Sequence, residues 1–187
     1  MTSLSNYLFN GKPTPRNHEK IMNWTERYRI SHNNFTQKKS PAFFEASGGF
    51  TMKVNYPKVT SSNGLRRAII NFMIWEGHHL EATNTMGRPI DKRETYTDVV
   101  GRTRVIGSLE WQKGSGDLGS SDAKGHLKLP GHKYAIPLYV EIKYGKDKMS
   151  KDQEKYESKV LETGGIYIII KNIDQWFTVY DNYLLTL

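Results

Sequence analysis

Three charged side chains in the second half of the chain, Asp122, Glu141 and Lys143, are of types that can bind a divalent cation and a phosphate. Glu141 and Lys143 lie within residues 138–144, where β-branched and aromatic side chains predict a strand. Because side chains alternate between the two faces of a strand, these two point the same way. A charge removed from water is costly unless it is paired or bound to a metal ion, so this acid and this base need partners.

A predicted hairpin brings Asp122 to Glu141. The turn signal Pro130-Gly131 separates the predicted strand from an alternating stretch at residues 121–129, which favours an antiparallel pair. Placing Asp122 opposite Glu141 centres the hairpin inside that turn and puts both carboxylates on one face. Two carboxylates so close repel each other unless a cation lies between them. Mg²⁺ takes one or two carboxylates together with carbonyls and waters, so the pair predicts a metal site of the phosphodiesterase type.

Asp117 is the alternative acid for this site. Pairing Asp117 with Glu141 would centre the hairpin at Leu129 and draw residues 119–121 (Gly-Ser-Ser) into the strand. Such residues are poor strand formers. The sequence therefore favours Asp122 and keeps Asp117 as the alternative.

Four features in chain order resemble the PD-(D/E)xK nuclease superfamily, and within it the VRR-NUC branch, which is related to restriction endonucleases and Holliday-junction resolvases. The resemblance covers about residues 57–183. An E-x-K motif alone is weak, but the four features together are much more specific. They are the acid at Asp122, the E-x-K of residues 141–143, the Ser-x-x-Gln of residues 150–153, and a Gly-ended helix followed by an apolar strand at residues 164–168.

The resemblance implies a metal-dependent endonuclease that hydrolyses phosphodiester bonds in DNA, with flap, splayed or branched DNA as candidate substrates. Its implied cofactor is Mg²⁺ or Mn²⁺. The implied metal ligands are Asp122, Glu141 and the backbone carbonyl of Ile142. In the family pattern Lys143 positions the attacking water, and Gln153 orders that water or the lysine.

The sequence departs from the family pattern in two places. Ser121 precedes Asp122 where the family has proline, and Asn63 stands near the place where many members carry a helix glutamate. The alternative function is therefore a nucleic-acid-binding module on a nuclease fold with weak or no catalysis. A third possible function is that of a basic structural protein. Gln153 also has an alternative role, because with Ser150 it forms a capping box that a helix start can use.

The composition favours a polyanionic partner. The 187 residues carry a formal net charge of +8, and there is no cysteine for a disulfide framework or a thiolate zinc site. We expect DNA as the partner, with RNA left open, and the resemblance makes a homodimer a candidate. No apolar run approaches the ~20 residues of a membrane span, and the N-terminus lacks a signal-peptide core. The family type implies the cytoplasm of a bacterial or phage-infected cell.

Residues 85–116 hold the densest charge and glycine, interleaved with Tyr96 and Trp111, and they lead into the Asp122 strand. Cations around a cleft neutralise phosphates without reading sequence, so we predict a nucleic-acid contact here. The alternative is a solubilising loop or β-ribbon. The predicted phosphate contacts are Arg88, Lys92, Arg93, Arg102, Arg104 and Lys113.

The elements that must position the site follow from periodicity. Residues 60–77 predict a helix with a core-facing stripe from Leu65 to Met73, while Arg66 and Arg67 fall off that stripe and are either solvated or in contact with phosphate. Further helices are predicted at residues 150–163 and after residue 174. Strands are predicted at residues 78–84 and 166–170, the latter buried on both faces and parallel to the E-x-K strand.

The expected fold is α/β, with a restriction-endonuclease-like core in which helices flank a small mixed β-sheet. We assign residues 57–187 to this nuclease domain. Residues 1–56 are an N-terminal extension, either a partly ordered tail or an arm that contacts nucleic acid or a second subunit. Within it, residues 17–29 predict a helix and residues 33–41 a loop.

Overall fold

The fold is a mixed α/β arrangement in which helices flank a small mixed sheet. The computed structural model describes residues 23–83, 87–112, 114, 116–182 and 184. The helices are α1 (Trp24–Lys39), α2 (Pro41–Ala46), a 3₁₀ turn (Gly49–Thr51), α3 (Ser62–Trp75), α4 (Lys151–Glu162) and α5 (Ile173–Asn182). The strands are β1 (His79–Ala82), β2 (Arg88–Asp91), β3 (Glu94–Thr97), β4 (Thr103–Ile106), β5 (Leu109–Gln112), β6 (Ala123–Lys128), β7 (Ala135–Ile142) and β8 (Ile166–Ile170). Among the described helices, none has both the length and the apolar character needed to cross a membrane.

The central sheet has the strand order β1-β6-β7-β8. β6 pairs with β7 in antiparallel fashion across the Pro-Gly turn, in a register that sets Ala123 opposite Val140. β7 pairs with β8 in parallel, and α4 connects the two strands. The predicted hairpin, its register and the predicted parallel pair are confirmed. One step beyond Ala123, the same register places Asp122 opposite Glu141.

The core lies on one face of this sheet. Leu138, Val140 and Ile142 alternate along β7 and are buried in one cluster with the α3 stripe and residues of α5. The predicted α3 stripe is confirmed, because its members are at most 1 % exposed. The intervening β7 residues face α4, where Tyr139 meets Tyr156 edge to face. This alternation puts Glu141 in the α4 layer, away from the apolar core.

The predicted loop at residues 33–41 is wrong over most of its length, because α1 continues to Lys39. Polar side chains in this helix have tertiary partners that the local sequence does not reveal. Ser31 donates to Glu76 Oε1 at 2.5 Å, and the buried Asn33 donates to the Phe50 carbonyl at 3.3 Å. Such contacts outweigh weak helix propensity. Tyr28 of α1 is fully buried in the core cluster, so this part of the extension packs on the sheet domain.

Residues 87–112 form a separate two-stranded ribbon. β2 pairs with β5 and β3 with β4, both antiparallel and in one continuous register. A turn at residues 98–102 closes the ribbon, with Asp98 N–H donating to the Arg102 carbonyl at 2.9 Å. Most of its residues are exposed, so it is set apart from the central sheet.

Candidate active site

The ends of β6 and β7 bring Asp122 and Glu141 together. The Asp122 N–H donates to Glu141 Oε2 at 3.2 Å, and Asp122 Oδ2 accepts from the Ile142 N–H at 2.9 Å. Each carboxylate therefore accepts a backbone N–H from the opposite strand, at the point where the two strands end. The β-strand register brings the two residues together, and hydrogen bonds then orient their side chains.

Lys143 and Gln153 complete a connected polar network around Glu141. Lys143 Nζ lies 2.9 Å from Glu141 Oε1 and donates to Gln153 Oε1 at 2.8 Å. Gln153 Nε2 donates to Glu141 Oε1 at 2.5 Å. Glu141 is 1 % and Lys143 5 % exposed, so their charges are compensated by each other and not by bulk water.

Gln153 holds both roles that the sequence left open. It is the third residue of α4, and Ser150 and Gln153 form the complete capping box. The Gln153 N–H donates to Ser150 Oγ at 3.3 Å, and the Ser150 N–H donates to Gln153 Oε1 at 3.0 Å. The helix start therefore aims the Gln153 amide at the strand.

The electrostatics of the pair follow from burial and proximity. Burial raises the pKa of Glu141, the nearby charge of Asp122 raises it further, and the hydrogen bond from Lys143 opposes both. For Lys143, burial lowers the pKa, but the hydrogen bond and charge of Glu141 and the charge of Asp147 outweigh it, so the pKa is raised. Lys143 is therefore a cation at neutral pH, and added positive charge would favour ionised Glu141.

The residues present fit a divalent cation with a small protein donor set. The carboxylates of Asp122 and Glu141 are adjacent hard oxygen donors, and the Ile142 carbonyl belongs to the same strand end. No group of three or more His, Cys, Asp and Glu side chains that could hold a metal occurs among the described residues. Mg²⁺ commonly uses one or two carboxylates and fills its remaining positions with water and phosphate oxygens, which suits this set.

The alternative acid, Asp117, lies elsewhere. Its side chain is exposed, and its carbonyl accepts hydrogen bonds from the Ser120 N–H and hydroxyl. The loop that carries it packs on the start of α4, because a Cβ at Gly119 would meet the Asp152 backbone at 2.3 Å. Asp122, and not Asp117, is thus the acid that contacts Glu141.

Arg66, which the sequence left as either solvated or in contact with phosphate, is a neighbour of the site. It lies on α3, with Nη1 4.0 Å from Asp122 Oδ1, and it donates to Asn63 Oδ1 at 2.9 Å. Its position off the apolar stripe was the available signal, and that signal does not tell a solvated arginine from a site arginine.

The predicted nucleic-acid contacts of the ribbon are mostly engaged within the ribbon. Lys92 pairs with Glu110 at 2.6 Å, Arg93 with Asp91 at 2.7 Å and Arg104 with Asp98 at 2.8 Å, while Arg88 donates to Gln112 at 3.2 Å. Lys113 lies outside the described residues. That this surface binds nucleic acid stays a prediction, and the internal pairing leaves less uncompensated charge than the sequence suggested.

Within the polar network, Glu141 and Lys143 are buried, whereas Asp122 and Gln153 are half-buried. In comparisons with family models, curated proteins and solved structures, none matches this chain.

Proposed function

We propose that this chain is a metal-dependent nuclease of the PD-(D/E)xK type, similar to the VRR-NUC branch, with a restriction-endonuclease-like core. Its substrate is the phosphodiester backbone of DNA, with flap, splayed or branched DNA as candidates. The alternative is a nucleic-acid-binding module without useful catalysis on the same fold. The proposal rests on the strand-end site and not on the basic charge, which many proteins share.

One observation carries the proposal: a buried Glu141–Lys143 pair lies at a strand end beside a second carboxylate, Asp122. A buried ion pair by itself is weak support for stability, since its desolvation cost can exceed its attraction. Adding a second acid raises that cost further. Charges kept at such a cost are typical of sites that act on a charged ligand.

The proposed roles of the residues are those that the resemblance implies, and the geometry of the site supports them. Asp122, Glu141 and the Ile142 carbonyl would hold Mg²⁺ or Mn²⁺. Bound there, the ion stabilises negative charge that develops on the scissile phosphate. Gln153 fixes the Glu141 carboxylate and the Lys143 ammonium relative to each other.

Lys143 can act on the substrate without leaving the network. Its ammonium has three donors, which point to Glu141, Gln153 and, at 3.4 Å, the exposed Asp147. The Asp147 contact is the longest and most solvated of the three. Exchanging it for a phosphate oxygen or the attacking water would place a cation where negative charge develops, while Glu141 and Gln153 still hold the amine.

The experiment is a cleavage panel with linear duplex, single-stranded, flap, splayed-arm and four-way-junction DNA in Mg²⁺, Mn²⁺ and EDTA. Glu141→Gln removes a charged ligand while keeping the side-chain shape, and Glu162→Gln at the exposed end of α4 is the matched control. We expect metal-dependent products from wild type and the control. Glu141→Gln should cut roughly 100-fold more slowly or worse, because several kcal/mol of metal-assisted stabilisation are lost.

Two other outcomes would count against the proposal. Binding of branched DNA with no cleavage in either metal would favour the binding module. Cleavage that survives Glu141→Gln at the wild-type rate would remove this site from the reaction.

A further inference from the structure

A cleft of about 610 Å³ opens beside the candidate active site, between α3, the loop before it and the edge strand β1. Its volume falls in the range of about 300–1,000 Å³ that is typical of ligand sites. Its charged lining consists of Lys58, Arg66 and Arg67, and its other lining residues are uncharged. The described lining therefore contains no acid that would neutralise these three cations.

A single glycine builds this cleft. Gly64 lies in the first turn of α3, and a Cβ there would be 1.8 Å from the Lys58 carbonyl oxygen. Only a residue without a side chain lets the loop lie directly on the helix. This close approach brings Lys58 beside the two arginines of α3, at the end of the helix whose N–H groups favour anions.

Two cations of the cleft, Lys58 and Arg67, differ from most cations of the ribbon in their partners. The side chains of Lys58 and Arg67 form no hydrogen bond or ion pair with any residue in the described part of the chain, and both are exposed. Ribbon cations such as Lys92 and Arg104 each contact an acid. A ligand phosphate would have to displace those acids, whereas Lys58 and Arg67 could bind it without displacing an acid of the described residues.

Arg66 makes the cleft continuous with the acidic site, because it lines the cleft and lies 4.0 Å from Asp122. We propose that the cleft holds the sugar-phosphate backbone of the nucleic-acid strand next to the scissile phosphate, with Lys58 and Arg67 binding flanking phosphates. This inference rests on the proposed nuclease function for the identity of its ligand. The protein groups bind phosphate, so binding here does not depend on base sequence.

The test measures binding and not cleavage. A fluorescently labelled splayed-arm DNA of mixed sequence is titrated in EDTA at several salt concentrations, with anisotropy as the readout. The full-length variants are Lys58→Gln/Arg67→Gln and a control, Lys133→Gln/Lys159→Gln, which removes the same amount of charge. Both control residues are exposed and lie at the end of the sheet away from Asp122.

We expect the cleft variant to weaken binding on the order of tenfold at 0.1 M salt. The slope of log K against log salt should fall by about 0.7 to 0.9 for each phosphate that the variant no longer binds, while the control stays near wild type. Equal weakening in the two double variants would overturn the inference, since net charge alone would then explain it. Thermal unfolding of each variant checks that the fold is retained.

The inference and the proposed function can fail separately. If wild type cuts DNA and the cleft variant binds and cuts like wild type, the nuclease stands and the cleft is not its binding site. If binding depends on the cleft but wild type cuts nothing in Mg²⁺ or Mn²⁺, the nuclease proposal fails and the cleft stands as a nucleic-acid site.

Discussion

Gln153 Nε2 donates a hydrogen bond to Glu141 Oε1 at 2.5 Å, across the gap between α4 and β7. The same amide closes the α4 capping box with Ser150. One side chain, Gln153, therefore both caps the helix and orients the Glu141 carboxylate. A substitution of Gln153 that keeps the cap but makes its interaction with Glu141 repulsive can separate the two roles.

Gln153→Glu is that change, because glutamate serves equally well in a capping box but sets a third carboxylate against Glu141. We expect lower thermal stability than wild type in EDTA at neutral pH, and a larger gain in Tm when Mg²⁺ is added. The control Ser150→Ala removes only the cap, at about 1 kcal/mol, and should keep the wild-type response to Mg²⁺. If Mg²⁺ raised the Tm of wild type and of Gln153→Glu by the same amount, residue 153 would not influence metal binding at Glu141.

Lys143→Met should destabilise the fold strongly at pH 7. It leaves the buried Glu141 without its cation, and breaking a buried pair in this way costs about 3–5 kcal/mol. Adding Glu141→Gln to Lys143→Met should restore most of that stability, which urea denaturation of both variants would measure. If the double variant is no more stable than the single one, the cost comes from packing and not from charge.

The same single variant should gain a characteristic pH dependence. Burial already raises the pKa of Glu141, and removing the lysine removes the contact that lowers it. The folded state then binds this proton more tightly than the unfolded chain, so the contribution of Glu141 favours folding at low pH. That contribution disappears as the pH rises through the folded-state pKa. Urea midpoints of Lys143→Met should therefore fall from acid to neutral pH more steeply than those of wild type.

Gly64→Ala should destabilise the protein although it improves helix propensity. The substitution favours a helix by about 1 kcal/mol in propensity, but the added Cβ would be 1.8 Å from the Lys58 carbonyl. We expect a net decrease in stability and weaker DNA binding, because the loop must move away from Arg67. Ser62→Ala is the control, because Ser62 is exposed in the same turn of α3 and does not line the cleft. A stabilised Gly64→Ala protein would show that the loop relaxes freely.

His78 should make the fold sensitive to mild acid. Burial lowers its pKa, Lys128 adds to that shift, and Glu76 opposes it. Its Nδ1 accepts from the Lys128 N–H at 3.2 Å, so Nε2 carries the proton towards Tyr180 Oη, also 3.2 Å away. A depressed folded-state pKa gives stability that is present above pH ~6.5 and is lost as the pH falls through the folded-state value.

His78→Gln tests this, since glutamine cannot take up a proton. The variant should lose less stability than wild type when urea midpoints at pH 7 are compared with those at pH 5. A parallel decrease in both proteins would place the acid sensitivity elsewhere.

The local pattern of the chain was enough to locate the main elements and the acidic pair. The α3 stripe, the apolar β8 and the Pro-Gly turn each act over a few residues, so their signals are readable. The turn also determines the hairpin register, because residues at equal distances before and after the turn pair with each other. Asp122 therefore lies opposite Glu141 as expected.

The local pattern did not predict contacts between side chains of elements that are far apart in the sequence. The sequence left Arg66 as either solvated or in contact with phosphate, and only the packing of α3 on the sheet places it 4.0 Å from Asp122. Lys58 and Arg67 line the same cleft because Gly64 lets the loop lie close to α3. The ribbon cations carried the strongest charge signal, yet most pair within the ribbon. Periodicity specifies which face a residue occupies, whereas the group that it meets on that face depends on how whole elements pack.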